Sequence, residues 1–149
     1  MANRNGFSVK VDIKGIEGVA KTMRELGPKL ARKGLRKSLN AVAKYWVPEM
    51  KSRVPVDTGS LRDSIIKQVK TRKDKNGDVS GTVTVGPEYT GKGSQDPGVY
   101  AMFVEFGVRS KAKYPAQPFA RPTLDATGDK AVKLFADTLK DVLKEIAKK

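Results

Sequence analysis

Four carboxylates lie near predicted turns and are the residues of this chain best placed for general acid and base chemistry. They are Asp57, Asp63, Glu88 and Glu105. A glycosidase or a metal-dependent nuclease needs two or more carboxylates that converge on one site. The sequence contains neither a D-x-D nor an E-x-x-H pattern, and the spacing of the four gives no sign of a shared cavity. We therefore interpret them as capping, turn and surface residues.

Two other patterns resemble catalytic motifs only superficially. The run Gly91-Lys92-Gly93-Ser94 lacks the spacing of a phosphate-binding loop. Thr58 and Ser60 have no histidine to activate them, because the chain contains no histidine and no cysteine. The same absence excludes disulfides, thiolate metal sites and histidine bases. We expect neither a catalytic site nor a cofactor.

A basic ribonuclease-type toxin is an alternative that needs no histidine. Its candidate residues would be Arg109, Lys111, Lys113 and Tyr114, which fall in one predicted loop. No acid–base pair accompanies them, so a solvated basic loop is the favoured interpretation.

The net charge of +14 favours a polyanionic partner, either nucleic acid or an acidic protein surface. Residues 1–53 hold 13 of the 30 Lys and Arg residues but only 4 of the 16 Asp and Glu residues. Six of these cations fall on one face of a predicted helix, here called the basic face: Lys29, Lys33, Arg36, Lys37, Lys44 and Lys51. Such a face could follow a DNA backbone without reading its sequence. A small nucleic-acid-binding protein is therefore a second alternative, although no helix-turn-helix or zinc-finger motif is present.

Hydrophobic periodicity predicts the elements of the first half. Alternating Phe7, Val9, Val11 and Ile13 predict a strand. Residues 16–53 follow a helical pattern, with a new start at Pro28 and a kink near Pro48. The apolar stripe expected in the core is Leu35, Leu39, Val42, Trp46 and Met50.

The second half predicts a hairpin followed by two helices. Residues 65–71 and 79–85 predict strands joined at Asn76-Gly77, and 99–106 predict a short aromatic helix. A closing helix is expected from Ala120 or Thr123 to Lys149. Its apolar positions are Val132, Phe135, Ala136, Leu139, Val142, Leu143 and Ile146.

Together these elements predict an α+β fold: a small, mostly antiparallel sheet packed by a long N-terminal and a long C-terminal helix, with the aromatic helix between them. We expect a single domain over 1–149 with flexible loops at about 72–78, 86–98 and 107–118. No apolar run approaches the roughly 18 residues of a membrane helix, so a soluble protein without a membrane partner is expected.

Three segments combine prolines, aromatics and single charges: 54–62, 100–107 and 115–122, here the first, second and third motifs. In the first, Asp57 or Thr58 is expected to cap a short helix. The second is too apolar for a free surface, and its Glu105 would need a partner if buried, with Arg62 and Arg121 as candidates. The third forms a stiff proline arm that suits either docking on a neighbour or packing on the core of its own chain.

The order V-P-V-D-T-G-x-L-R-x-S, Y-A-x-F-V-E-F-G and P-A-Q-P-F-x-R-P-x-L resembles the tail completion, or minor tail, proteins at the head–tail joint of long-tailed bacteriophages. The residues that carry the resemblance are Pro55, Asp57, Thr58, Gly59, Leu61, Arg62, Tyr100, Phe103, Glu105, Phe106, Gly107 and Pro118.

This resemblance implies a virion protein without enzymatic activity or a small-molecule substrate. It would form a homo-oligomeric ring around the DNA path at the top of the tail, touching the connector and tail proteins, after assembly in the host cytoplasm. Contact with phage DNA would be non-specific. The candidate subunit interface is Arg109, Lys111, Lys113, Tyr114, Phe119 and Arg121.

Overall fold

Two long helices pack against a small sheet, which confirms the predicted α+β class. The computed structural model describes residues 9–10, 21, 24–55, 59–76, 79–91, 93–108 and 114–148. Its elements are β1 (Val9–Lys10), α1 (Pro28–Arg53), α2 (Ser60–Asp63), β2 (Ile65–Lys73), β3 (Val79–Pro87), a 3-10 turn (Gly93–Gln95), α3 (Pro97–Phe106) and α4 (Ala120–Ala147). The strand order is β1-β3-β2, and β2 and β3 are antiparallel.

Helix α1 begins at Pro28, as predicted, because a proline in the first turn gives up no intrahelical hydrogen bond. Gly27 precedes it with a φ of 84°, and its carbonyl accepts from the N–H of Ala31 at 3.0 Å. The helix continues through Pro48 to Arg53. All five residues of the predicted apolar stripe are buried, so Trp46 is a core residue.

Helix α4 runs without interruption through Gly128. Phe135, Leu139 and Val142 are buried as predicted, but Val132 is 39% exposed. Ala131 takes the core position, and Val132 lies about 100° further round the helix. The prediction that Val132 belongs to the buried stripe was therefore wrong, because the stripe includes the smaller Ala131 in its place.

The chain divides into two compact units. The first contains Val9 and the described residues of 46–67 and 85–128, and the second those of 10–45, 68–84 and 129–149. The core of the first unit includes Trp46, Met50, Val54, Leu61, Ile65, Val85, Ala101 and Phe119. The core of the second includes Leu35, Leu39, Val42, Val83, Ala131, Phe135, Leu139 and Val142.

In the second unit, α1 covers one face of the hairpin at very close range. A Cβ placed on Gly81 of β3 would lie 2.9 Å from Leu35 Cδ2, well inside normal contact distance. Arg32 donates from Nε to Thr71 Oγ1 of β2 at 3.0 Å and from Nη2 to the Thr71 carbonyl at 3.2 Å. The odd-numbered residues of both strands therefore face α1, because side chains alternate along a strand.

The described elements begin or end slightly differently from the sequence expectations. Strands β2 and β3 each extend two residues further than predicted, β2 through Arg72 and Lys73 and β3 through Gly86 and Pro87. Gly59, with a φ of 83°, occupies the N-cap of α2, so that position supplies no capping side chain. Asp57 and Thr58, the expected caps, lie outside the described residues, as do most of the predicted first strand and Gly77 of the predicted turn.

Candidate functional site

The carboxylate of Glu105 joins the second motif to the third. Glu105 is 4% exposed, and its Oε2 accepts from the backbone N–H groups of Phe119 at 2.7 Å and Ala120 at 3.0 Å. Its Oε1 accepts from the N–H of Arg121 at 3.1 Å. The first N–H groups of a helix have no partner within the helix, and its positive dipole end favours a carboxylate. Glu105 therefore caps α4 from another helix.

The sequence had suggested an arginine side chain as the partner of Glu105, and this was wrong. Arg121 contributes its backbone N–H, while Arg62 donates from Nε to its neighbour Asp63 at 3.0 Å. Three backbone donors satisfy the buried charge without a second buried ion, which avoids another desolvation cost.

The proline arm of the third motif is held against the end of α3. Gln117 donates its N–H to the Val104 carbonyl at 2.7 Å, and Val108 donates to the Tyr114 carbonyl at 3.1 Å. Gly107 has a φ of 73°, and a Cβ there would lie 2.7 Å from the backbone nitrogen of Ala116. Only glycine fits this approach, so the second and third motifs fold as one structure.

Asp96, which the sequence analysis did not single out, fixes the start of α3. It is fully buried, and its carboxylate accepts from the N–H of Gly98 at 2.9 Å and from Thr90 through the backbone N–H at 2.6 Å and Oγ1 at 2.8 Å. An aspartate followed by proline is a helix-start signal that could have identified it. The predicted flexibility of 86–98 stays a prediction; within this segment, the Asp96 carboxylate ties Thr90 to the start of α3.

The first motif belongs to the same unit. Its α2 contacts α3, and Val54 and Leu61 are buried. Pro55 is half-buried and Gly59 buried. Just beyond the motif, the Ser64 carbonyl accepts from the Glu88 N–H at 2.8 Å. The described residues of all three motifs thus lie together in the first unit.

Helix α3 presents a set of large apolar side chains to solvent. Met102, Phe103 and Phe106 are 44%, 51% and 68% exposed, and we call them the α3 apolar face. On the other side of the helix, Gly98, Ala101 and Glu105 are buried. Exposed apolar groups that cluster in this way are typical of protein interaction sites. The sequence had indicated that this segment is too apolar for a free surface, and in the single chain these residues do lie at the surface.

The candidate interface residues of the third motif have different environments. Tyr114 is 53% exposed, and Arg121 and Pro118 are exposed, whereas Phe119 is completely buried and packs within its own chain. Tyr100 is half-buried. Arg109, Lys111 and Lys113 lie outside the described residues.

Five members of the basic face are exposed: Lys29, Lys33, Arg36, Lys37 and Lys44. Lys51 is half-buried. Lys37 forms an ion pair with Glu145 of α4, Nζ to Oε2 at 3.1 Å, with both side chains more than half exposed. An exposed pair of this kind stabilises little.

The candidate catalytic carboxylates have separate structural environments. Glu105 caps α4, Asp63 pairs with Arg62, and Glu88 is exposed. Within the described ranges, no group of three or more Asp, Glu, His or Cys residues could hold a metal ion. No described helix has the length and hydropathy required to span a membrane.

Comparison with known proteins identifies the family. Residues 17–107 of the 149 match the family model described as "Bacteriophage HK97-gp10, putative tail-component", which includes the first and second motifs. No curated protein and no solved structure matches the chain. Because the match covers more than half of the sequence, the chain belongs to the HK97-gp10-like family of bacteriophage tail components.

Proposed function

We propose that this tail component completes the phage tail and joins it to the head–tail connector, acting as a homo-oligomeric ring around the DNA path. It works through contacts between folded surfaces and carries out no covalent chemistry. Membership of a tail-component family supports a place in the virion, and we assign that place to the top of the tail.

The observation that carries the proposal is the exposed α3 apolar face. Phe106 alone leaves 68% of its surface in contact with solvent. The helix beneath it is fixed at its start by Asp96 and near its end by the bond from Gln117 to Val104. Aromatic side chains on a rigid support lose little conformational freedom on binding, and such anchors dominate the energy of protein interfaces.

A ring needs one interface that repeats and closes, in which two different patches of neighbouring subunits meet. We assign one of these patches to the α3 apolar face and the adjoining arm, where Tyr114 and Pro118 are exposed. The basic face of α1 is then left for DNA or for an acidic neighbour, as its charge favours.

The direct test is complementation of a phage that lacks this protein. Without it, electron microscopy should show separate heads and tails or unfinished tails, and the wild-type chain should restore joined particles. Joined, infectious particles in its absence would contradict the proposal.

The α3 apolar face is tested in the same system with Phe103→Ser combined with Phe106→Ser. This variant should fold but fail to restore joining. The matched control is Val132→Ser, which replaces a side chain that is 39% exposed on α4 and should restore joining fully. Equal complementation by both variants would exclude the α3 apolar face from assembly.

A further inference from the structure

We infer that the open face of the β2–β3 hairpin binds the sugar-phosphate backbone of duplex DNA. This face carries an open groove of about 360 Å³. Its lining residues, here called the sheet groove, are Gln68, Lys70, Arg72, Ser80, Thr82 and Thr84. All six are even-numbered residues of β2 or β3, so the groove lies on the face opposite to the one that α1 covers.

The chemistry of the sheet groove matches phosphate contacts. Lys70 and Arg72 supply two cations, and the other four residues supply hydroxyl or amide donors. None of the six carries a carboxylate. Phosphate oxygens and sugars in protein–DNA complexes are contacted by these side-chain types, which fix the protein on the duplex without reading sequence.

A protein partner fits the same groove less well. Protein interfaces are centred on aromatic or large apolar anchors, and the sheet groove has none. Interfaces with DNA are more polar and strongly positive. The net charge of +14 adds long-range attraction for a polyanion.

DNA bound in the sheet groove would leave the basic face of α1 free for another partner. The apolar stripe of α1 turns toward the hairpin, so Lys33 and Lys44, on a nearly opposite side of that helix, point away from the sheet groove. A duplex lying in the groove would therefore not reach them. This extends the proposed function, since it assigns the DNA side of the subunit to the sheet and leaves the basic face for an acidic neighbour.

The test measures binding of the full-length chain to a fluorescent duplex of arbitrary sequence over a range of salt concentrations. The variant Lys70→Gln/Arg72→Gln is compared with Lys33→Gln/Lys44→Gln, which removes the same charge from exposed positions on α1. Each neutralised phosphate contact contributes about 0.9 to the slope of log affinity against log salt. The groove variant should therefore lower the slope by about 2, and the α1 variant should leave it unchanged.

When the salt concentration rises from about 50 mM to about 200 mM, both proteins lose affinity for the duplex. The factor of this loss should be roughly tenfold smaller for the groove variant than for the wild-type chain. A second variant, Thr82→Val/Thr84→Val, keeps β-branched side chains and removes only hydroxyl groups. It should weaken binding about threefold to tenfold with the slope unchanged, as expected for lost neutral hydrogen bonds. Circular dichroism of each variant checks that the fold is retained.

Three results would overturn the inference: no duplex binding at low salt, equal slope changes in the two charge variants, or a change only in the α1 variant. Binding of an acidic protein fragment that the groove variant loses, without duplex binding, would assign the groove to a protein partner instead. Because this assay uses the isolated chain, its failure is distinguishable from failure of the complementation experiment.

Discussion

Glu105 shows how one side chain can fix the second motif to the third. Its carboxylate is buried, yet three backbone N–H groups within hydrogen-bond distance compensate for the lost hydration. Because those donors belong to the first turn of α4 and the residue before it, the same contact fixes where α4 begins and where the proline arm ends. The neighbouring Phe106 is thereby held on a stable base while its ring remains in solvent.

Replacing Glu105 tests this interpretation. Glu105→Ala should lower the free energy of unfolding by about 2–4 kcal/mol, because it leaves three backbone donors without their charged acceptor. Glu105→Gln should lower the free energy of unfolding by less, since the amide oxygen can still accept from the backbone N–H groups. Urea denaturation measures both, and Glu88→Ala, at an exposed position, is the control. An effect of Glu105→Ala no larger than that of the control would refute the capping role.

Replacement of glycine by alanine should change the stability of the protein in opposite directions at Gly81 and Gly128. Gly81→Ala places a methyl group against Leu35 and Leu39 of α1 and should destabilise by about 1–3 kcal/mol. Gly128→Ala lies inside α4 with no atom within 4 Å of the new methyl group, so it should stabilise by up to about 1 kcal/mol. Thermal unfolding of the two variants checks the difference in sign, and two shifts in the same direction would contradict the close packing of β3 on α1.

At the scale of elements, the sequence predicted the features that depend on residues close together in the chain. The apolar stripe of α1 and the start at Pro28 follow from helical periodicity and proline geometry, and both are confirmed. The partner of Glu105 could not be predicted, because backbone donors 14 to 16 residues away leave no side-chain signal. The sheet groove was overlooked, although polar residues alternate along both strands in the sequence. The sheet groove is open because α1 covers only the opposite face of the hairpin.

The attachment of α3 through Asp96 makes an element-scale prediction. Asp96→Ala removes the acceptor for Gly98 and for both donors of Thr90, so the start of α3 should open more readily. Hydrogen exchange of the Thr90 and Gly98 amides should accelerate at least tenfold, while amides in the centre of α1 keep their rates. Unchanged exchange at both positions would show that α3 is held by other contacts.

At the scale of the whole molecule, the described features suit a protein that functions through contacts with neighbouring molecules. The described residues of the three motifs lie in the same unit as the α3 apolar face, and Glu105, Asp63 and Glu88 have structural or surface positions. A groove without acidic lining lies on the other unit. The proposed surfaces for protein and for DNA, carried by one small chain, match the position at the top of the tail that we propose for it.

The most direct test of this account is hydroxyl-radical footprinting of the chain in isolation and in purified phage particles. Met102, Phe103 and Phe106 should be labelled readily in the isolated chain and protected several-fold in the particle, while Val132 serves as the exposed apolar reference. Equal labelling of the three residues in both states, or particles that do not contain the chain, would contradict the central claim that this surface is buried when the tail is assembled.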